Sequence, residues 1–165
     1  MNNKLRIDTA LIMDYIIHNR SQRMFQLYSR GCEHILSALS SVDRKKLDQR
    51  FTAKEICKRA GIPESFTRKN LQALARSGVL KAATGPGGGY HLAHQPQKIS
   101  VLKIINVIDG EDAFDQCVMG LPACRDNSPC PLHQVWMATK KPLLQQLETV
   151  TLYDLINQKR RRKEN

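Results

Sequence analysis

The stretch from Phe51 to Leu92 constrains the fold more than any other part of the chain. Thr52 and Glu55 have the spacing of a capping box, in which side chain and backbone pair reciprocally to satisfy N–H groups of the first helical turn. Ala53, Ile56, Cys57 and Ala60 recur at helical spacing behind it. Gly61-Ile62-Pro63 makes a turn, and a second helix starts at Pro63 or Glu64, with Phe66, Leu71, Leu74 and Ala75 expected inward. It ends at Ser77-Gly78, where glycine suits the left-handed position past a helix end. Val79-Leu80 and Tyr90-Leu92 then flank Gly-Pro-Gly-Gly-Gly, which reads as a β-hairpin. Two short helices joined by a glycine-containing turn form a helix-turn-helix, and the added hairpin makes it winged. The expected class is α+β, mostly α.

The flanking sequence extends this unit. Ser29 is placed to cap a helix carrying Cys32, Ile35, Leu36, Leu39 and Val42 inward. Ser100 opens another, with Val101, Ile104, Ile105 and Ile108 on one side. Leu132, Val135, Trp136, Leu143, Leu144 and Leu147 form an apolar stripe on a long helix, in which Pro142 is expected to force a kink or a restart. Thr151 to Leu155 reads as a short final element, and KRRRK at 159–163 as a solvated basic tail. Residues 1–23 fit poorly with the pattern of the remaining chain and are expected to form a peripheral extension, with Thr9 capping a short helix through Leu11, Met13, Ile16 and Ile17.

Chemistry concentrates in two places. The net charge of +11 favours a polyanionic partner, most often nucleic acid. In a helix-turn-helix the second helix enters the major groove, and its first turns here carry Ser65, Thr67, Arg68, Lys69 and Asn70. Arg can read guanine and Asn adenine through paired hydrogen bonds, whereas Lys, Ser and Thr also suit phosphates. The wing residues Gly87, Gly88 and Tyr90 are expected beside the sugar-phosphate backbone. The second place is a loop of turn-forming residues holding Cys117, Cys124, Cys130 and His133 in the order C-x6-C-x5-C-x2-H.

Five cysteines is an odd count, and no signal peptide or membrane-span-length apolar run accompanies them. A reducing cytoplasm is the expected setting, where clustered cysteines bind metal or do redox chemistry. The donor set suits an iron–sulfur cluster, a tetrahedral zinc ion, or a thiol/disulfide switch without metal. An enzyme is not expected: the chain has no C-x-x-C pair, no H-E-x-x-H and no phosphate-cradling loop followed by Lys.

The stretches LYSRGCEHILSAL, FTAKEICKRAGIPESFTRKNLQALARSGVLK, GPGGGYHLA, ISVLKIINVIDG, CPLHQVW and TLYDL resemble, in order, the Rrf-two family of bacterial winged-helix transcription regulators, which includes IscR-like and NsrR-like iron–sulfur regulators. The resemblance implies a homodimer on double-stranded DNA that senses iron, redox state or nitric oxide, with no membrane association. It divides the chain into an N-terminal extension (1–26), a winged helix-turn-helix domain (27–109), a cysteine-rich cluster-binding loop (110–134), a dimerisation helix with C-terminal segment (131–157) and a basic tail (158–165). It also implies that Cys117, Cys124 and Cys130 ligate a 2Fe–2S or 4Fe–4S cluster. The fourth ligand would be His133, as in IscR-like members, or a residue early in the partner subunit's first helix, as in NsrR-like members, a position that aligns with Cys32. Thr84 stands where the family often has Arg before Gly-Pro, and the first loop spacing is six residues where IscR-like members usually have five.

Overall fold

The computed structural model describes residues 27–43, 47–121 and 124–164, with side chains described as far as residue 158. The expected extension at 1–26 lies outside the described residues. Helix α1 spans Arg30–Leu39, and the Ser29 hydroxyl caps it by accepting from the Cys32 N–H at 3.1 Å. Helix α2 spans Ala53–Ala60 and starts in the expected capping box: the Glu55 N–H donates to Thr52 Oγ1 at 3.2 Å, and the Thr52 N–H donates to Glu55 Oε2 at 2.7 Å. Gly61 closes α2 with φ of 69°, a left-handed conformation that glycine adopts without steric cost. Helix α3 spans Glu64–Arg76.

The wing is an antiparallel pair, β1 (Leu80–Ala83) and β2 (Gly89–Leu92), in the register Leu80↔Leu92. Phe51, just ahead of α2, adds a rung: it exchanges two backbone hydrogen bonds of 2.8 Å with Tyr90. A Cβ at Gly89 would meet the Phe51 carbonyl oxygen at 2.6 Å, so this close approach needs glycine there. The wing is thereby tied to the start of the helix-turn-helix.

A 3₁₀ turn (Pro96–Lys98) leads to α4 (Val101–Asp109), capped by Ser100 as expected. After the cysteine loop come α5 (His133–Thr149) and α6 (Leu152–Glu164). Of the two outcomes expected at Pro142, the restart does not occur: helix α5 continues through it. Proline removes the bond to the Ala138 carbonyl, but both residues lie on the exposed face, where water can satisfy the freed oxygen. The final element is a helix of 13 residues that runs through the basic stretch, not a short segment followed by a tail. Its capping box at Thr151 and Asp154 starts it, and nothing in the basic run breaks a helix.

Two apolar clusters hold these elements. The first joins α1, α2, α3 and β1 through Ile35, Leu39, Ile56, Leu71, Leu74 and Leu80, and takes in Leu152 and Ile156 of α6. The second joins Cys32, Val101, Ile105 and Phe114, with Trp136, Leu143, Leu144 and Leu147 of α5 packed against it. Phe114 thus anchors the start of the cysteine loop between α1, α4 and α5. On α5 the remaining apolar groups Val135 and Met137 are 61% and 51% exposed. Among the described residues, no helix is long and apolar enough to cross a membrane.

Candidate metal centre and nucleic-acid interface

The loop between α4 and α5 folds back on itself through short turns. The Gly120 N–H donates to the Cys117 carbonyl at 2.7 Å, Arg125 and Ser128 form an isolated bridge, and the His133 N–H donates to the Cys130 carbonyl at 3.0 Å. An ion pair between Lys140 of α5 and Asp115 ties the loop's first half to the helix beyond it. These closures bring the sulfurs of Cys117, Cys124 and Cys130 to within 4.8 Å of one another. Cys117 Sγ and Cys130 Sγ are 3.6 Å apart, and His133 Nδ1 lies 3.3 Å from Cys124 Sγ.

His133 is oriented from its other side, since Nε2 is 3.0 Å from Asp126 Oδ1. A proton on Nε2 donated to that carboxylate leaves the Nδ1 lone pair facing the thiols, an arrangement common behind metal-bound histidines. Asp126 was missed in the sequence. Its signal was a carboxylate inside the cysteine-bearing loop.

Cys117 and Cys130 differ in acidity. Burial pushes Cys117 up, but hydrogen bonds from the Leu121 and Met119 backbone and from the Cys124 and Cys130 thiols outweigh it, and its pKa falls below the ordinary value. Cys130 is pushed up to about 11, first by burial, then by its thiol neighbours and the Cys117 charge, against the Leu132 backbone. A thiolate therefore forms at Cys117 before Cys130, and thiolate is the form that binds metal. Cys117 also opens onto a cavity of about 310 Å³ lined by Tyr28, Asp109, Phe114, Met119 and Trp136. Three thiols and an imidazole so placed fit a soft, thiolate-preferring centre such as iron–sulfur or zinc.

Cys32, the other candidate fourth donor, sits elsewhere. It is 0% exposed in the second apolar cluster, and burial with the nearby Asp109 charge pushes its thiol up to about 12. Because the folded value exceeds the ordinary 9.0, the folded chain keeps a proton that the unfolded chain gives up. The associated stability is present below pH 9.0 and lost as pH rises towards about 12, on the order of 4 kcal/mol in all. Chemical denaturation across that window is expected to show a shallower decline for Cys32→Ala than for the parent. Equal declines would contradict the burial of this thiol.

On α3 the outward face carries Ser65, Lys69, Gln72 and Arg76, all exposed. Gln72 and Arg76 were not singled out from sequence, although their spacing of three and seven residues from Lys69 puts them on its face. Arg68 is also exposed and pairs with Glu64 one turn earlier. Thr67 corrects the sequence reading: it is 0% exposed, and its hydroxyl donates to the Pro63 carbonyl at 3.0 Å, so it faces the core and not a groove. Phe66, expected inward, is 69% exposed. Asn70 is engaged too, its amide donating to the Gly31 carbonyl at 3.1 Å. In the wing, Gly87 is exposed and Gly88 half-buried, with no room for a Cβ because the Ala83 carbonyl oxygen would lie 2.5 Å from it. The Tyr90 ring packs against Phe51, centroids 6.5 Å apart.

A helix-turn-helix with a hairpin wing and a basic outward helix face defines a winged-helix, DNA-binding transcription regulator. The chain belongs to the Rrf2 family: the family model described as "Iron-dependent Transcriptional regulator" matches residues 28–158. The HTH-type transcriptional regulator IscR of Yersinia pseudotuberculosis is 26% identical over 132 residues, covering 80% of this chain and 79% of that protein. The structure of T. potens IscR matches with a TM-score of 0.59 at 25% identity, over 79% of this chain and 85% of that one. The global cysteine regulator CymR of B. subtilis shares the fold, with a TM-score of 0.61 at 22% identity over 78% of this chain and 95% of that one. The family consists of transcription regulators, not enzymes.

Proposed function

We propose that this chain regulates transcription in the cytoplasm as a homodimer on double-stranded DNA, and that its loop holds an iron–sulfur cluster through Cys117, Cys124, Cys130 and His133. The observation that carries this reading is the convergence of three sulfurs within 4.8 Å, with His133 Nδ1 turned towards them. His133 is preferred to Cys32 because the latter is sealed in the core and kept protonated. Bound there, the cluster would supply a redox-active group whose retention depends on iron and oxidants.

The residues around the loop supply a physical route to DNA. At the loop's start Asp109 accepts from the Ser29 N–H at 2.7 Å and from the Ser29 hydroxyl at 2.5 Å. Ser29 caps α1, and the Gly31 carbonyl in its first turn accepts from Asn70 of the recognition helix. A change in loop geometry would bias the position of α1 and, through Asn70, that of α3. Regulation requires that the two states differ in affinity for DNA.

A second reading, a thiol switch, draws on the 3.6 Å between Cys117 and Cys130, which a small movement would close to a disulfide. Protein isolated without oxygen separates the readings. The cluster reading expects coloured protein with iron and sulfide, and an operator affinity that changes at least about fivefold when the metal is chelated. Colourless protein with stoichiometric zinc, or oxidant-dependent DNA binding by metal-free protein, would sink it. In the same assay Arg68→Ala is expected to cost about 1–3 kcal/mol of operator binding, and Lys69→Ala to weaken binding and reduce its salt dependence. Unchanged affinity for both across salt concentrations would count against α3 as the groove helix.

A further inference from the structure

Phe66 takes no part in either apolar cluster. It is the most exposed large apolar side chain among the described residues. Single exposed apolar groups are ordinary on protein surfaces. Phe66 differs in its company: it stands on the first turn of α3, and the exposed Lys69 three residues on shares its side of the helix. Whatever covers this side of α3 must satisfy a cation and a ring together. A second copy of the same face would bring its own Lys69 to the same patch, like charge towards like charge, because a two-fold contact uses one patch twice. DNA offers phosphates to the cation.

In the major groove the apolar base feature is the C5-methyl of thymine. A phenyl ring has neither donor nor acceptor, so it cannot read the hydrogen-bonding pattern of a base edge, but it can pack on that methyl. We propose that Phe66 is a specificity-determining residue that packs on the C5-methyl of one thymine in each half-site. The proposal rests on the reading of α3 as the groove helix.

The test uses the full chain, isolated without oxygen, and an operator selected from a random duplex pool. Each thymine in a half-site is replaced in turn by deoxyuracil, which removes the methyl and leaves the hydrogen-bonding edge unchanged. For the parent, one position per half-site is expected to weaken binding about fourfold, the worth of one buried methyl group. For Phe66→Ala that position should become indifferent to the methyl, while the other positions respond as in the parent. If no uracil substitution weakens the parent, or if the loss persists in Phe66→Ala, the role of Phe66 is overturned while DNA binding stands. If the pool yields no preferred sequence, the α3 reading fails with it. A change of Phe66→Ala in oligomeric state without any change in thymine preference would assign the ring to a protein contact and overturn the proposal.

Discussion

Serine at any one of positions 117, 124 or 130 is expected to cut the iron and sulfide retained per chain by at least about tenfold, because a thiolate ligand is replaced by a weakly acidic hydroxyl. The three positions should behave alike, since their sulfurs form one group with every member within 4.8 Å of the others. All three are only half-buried, so the fold should survive, and an unchanged thermal midpoint of the metal-free proteins checks this. His133→Ala is expected to lose metal as well. Asp126→Asn should lower affinity by about 10–100-fold while leaving the donors in place, the usual cost of disturbing a partner behind a metal-bound histidine. Cys32→Ala is expected to retain the metal, because that thiol is sealed among Val101, Ile105 and Phe114. Loss in Cys32→Ala with retention in His133→Ala would reverse the assignment of the fourth donor. Retention in all three serine variants would end the cluster reading altogether.

The parts of this molecule that could be read from sequence are the ones written in local chemistry. The caps at Ser29, Thr52 and Ser100 each satisfy N–H groups within three residues, so their signature lies on adjacent positions. The left-handed glycines at 61 and 78 mark helix ends for the same reason. The clustering in the cysteine loop was legible because cysteines, a histidine and turn formers crowd into one short segment. What escaped was decided at long range. The pairing of Ser29 with Asp109 spans 80 residues, and Asn70 reaches Gly31 across 39. That α5 does not restart at Pro142 was also beyond local rules, which could not show that Pro142 and Ala138 are both exposed.

The register of α3 is the instructive error, and it carries the other large expected effect. Thr67→Lys is expected to destabilise the fold by about 3 kcal/mol or more, because it places a long charged side chain where nothing can pair it. Phe66→Lys, one position away, should change stability by no more than about 0.5 kcal/mol. Ranking residues by hydrophobicity puts Phe66 inside. Ranking them by period puts Thr67 inside, since 67, 71 and 74 are spaced by four and three residues and all are 0% exposed. Threonine is tolerated there because its hydroxyl is bonded to the Pro63 carbonyl, leaving its methyl to pack. Thr67→Val should therefore cost only about 1 kcal/mol, the worth of one hydrogen bond. Urea denaturation of the metal-free proteins measures all three, with equal slopes required for comparison. If Phe66→Lys proved the more damaging variant, α3 would be turned by about one residue. Its outward face would then have to be redrawn, and with it every base contact assigned to Ser65, Arg68 and Lys69.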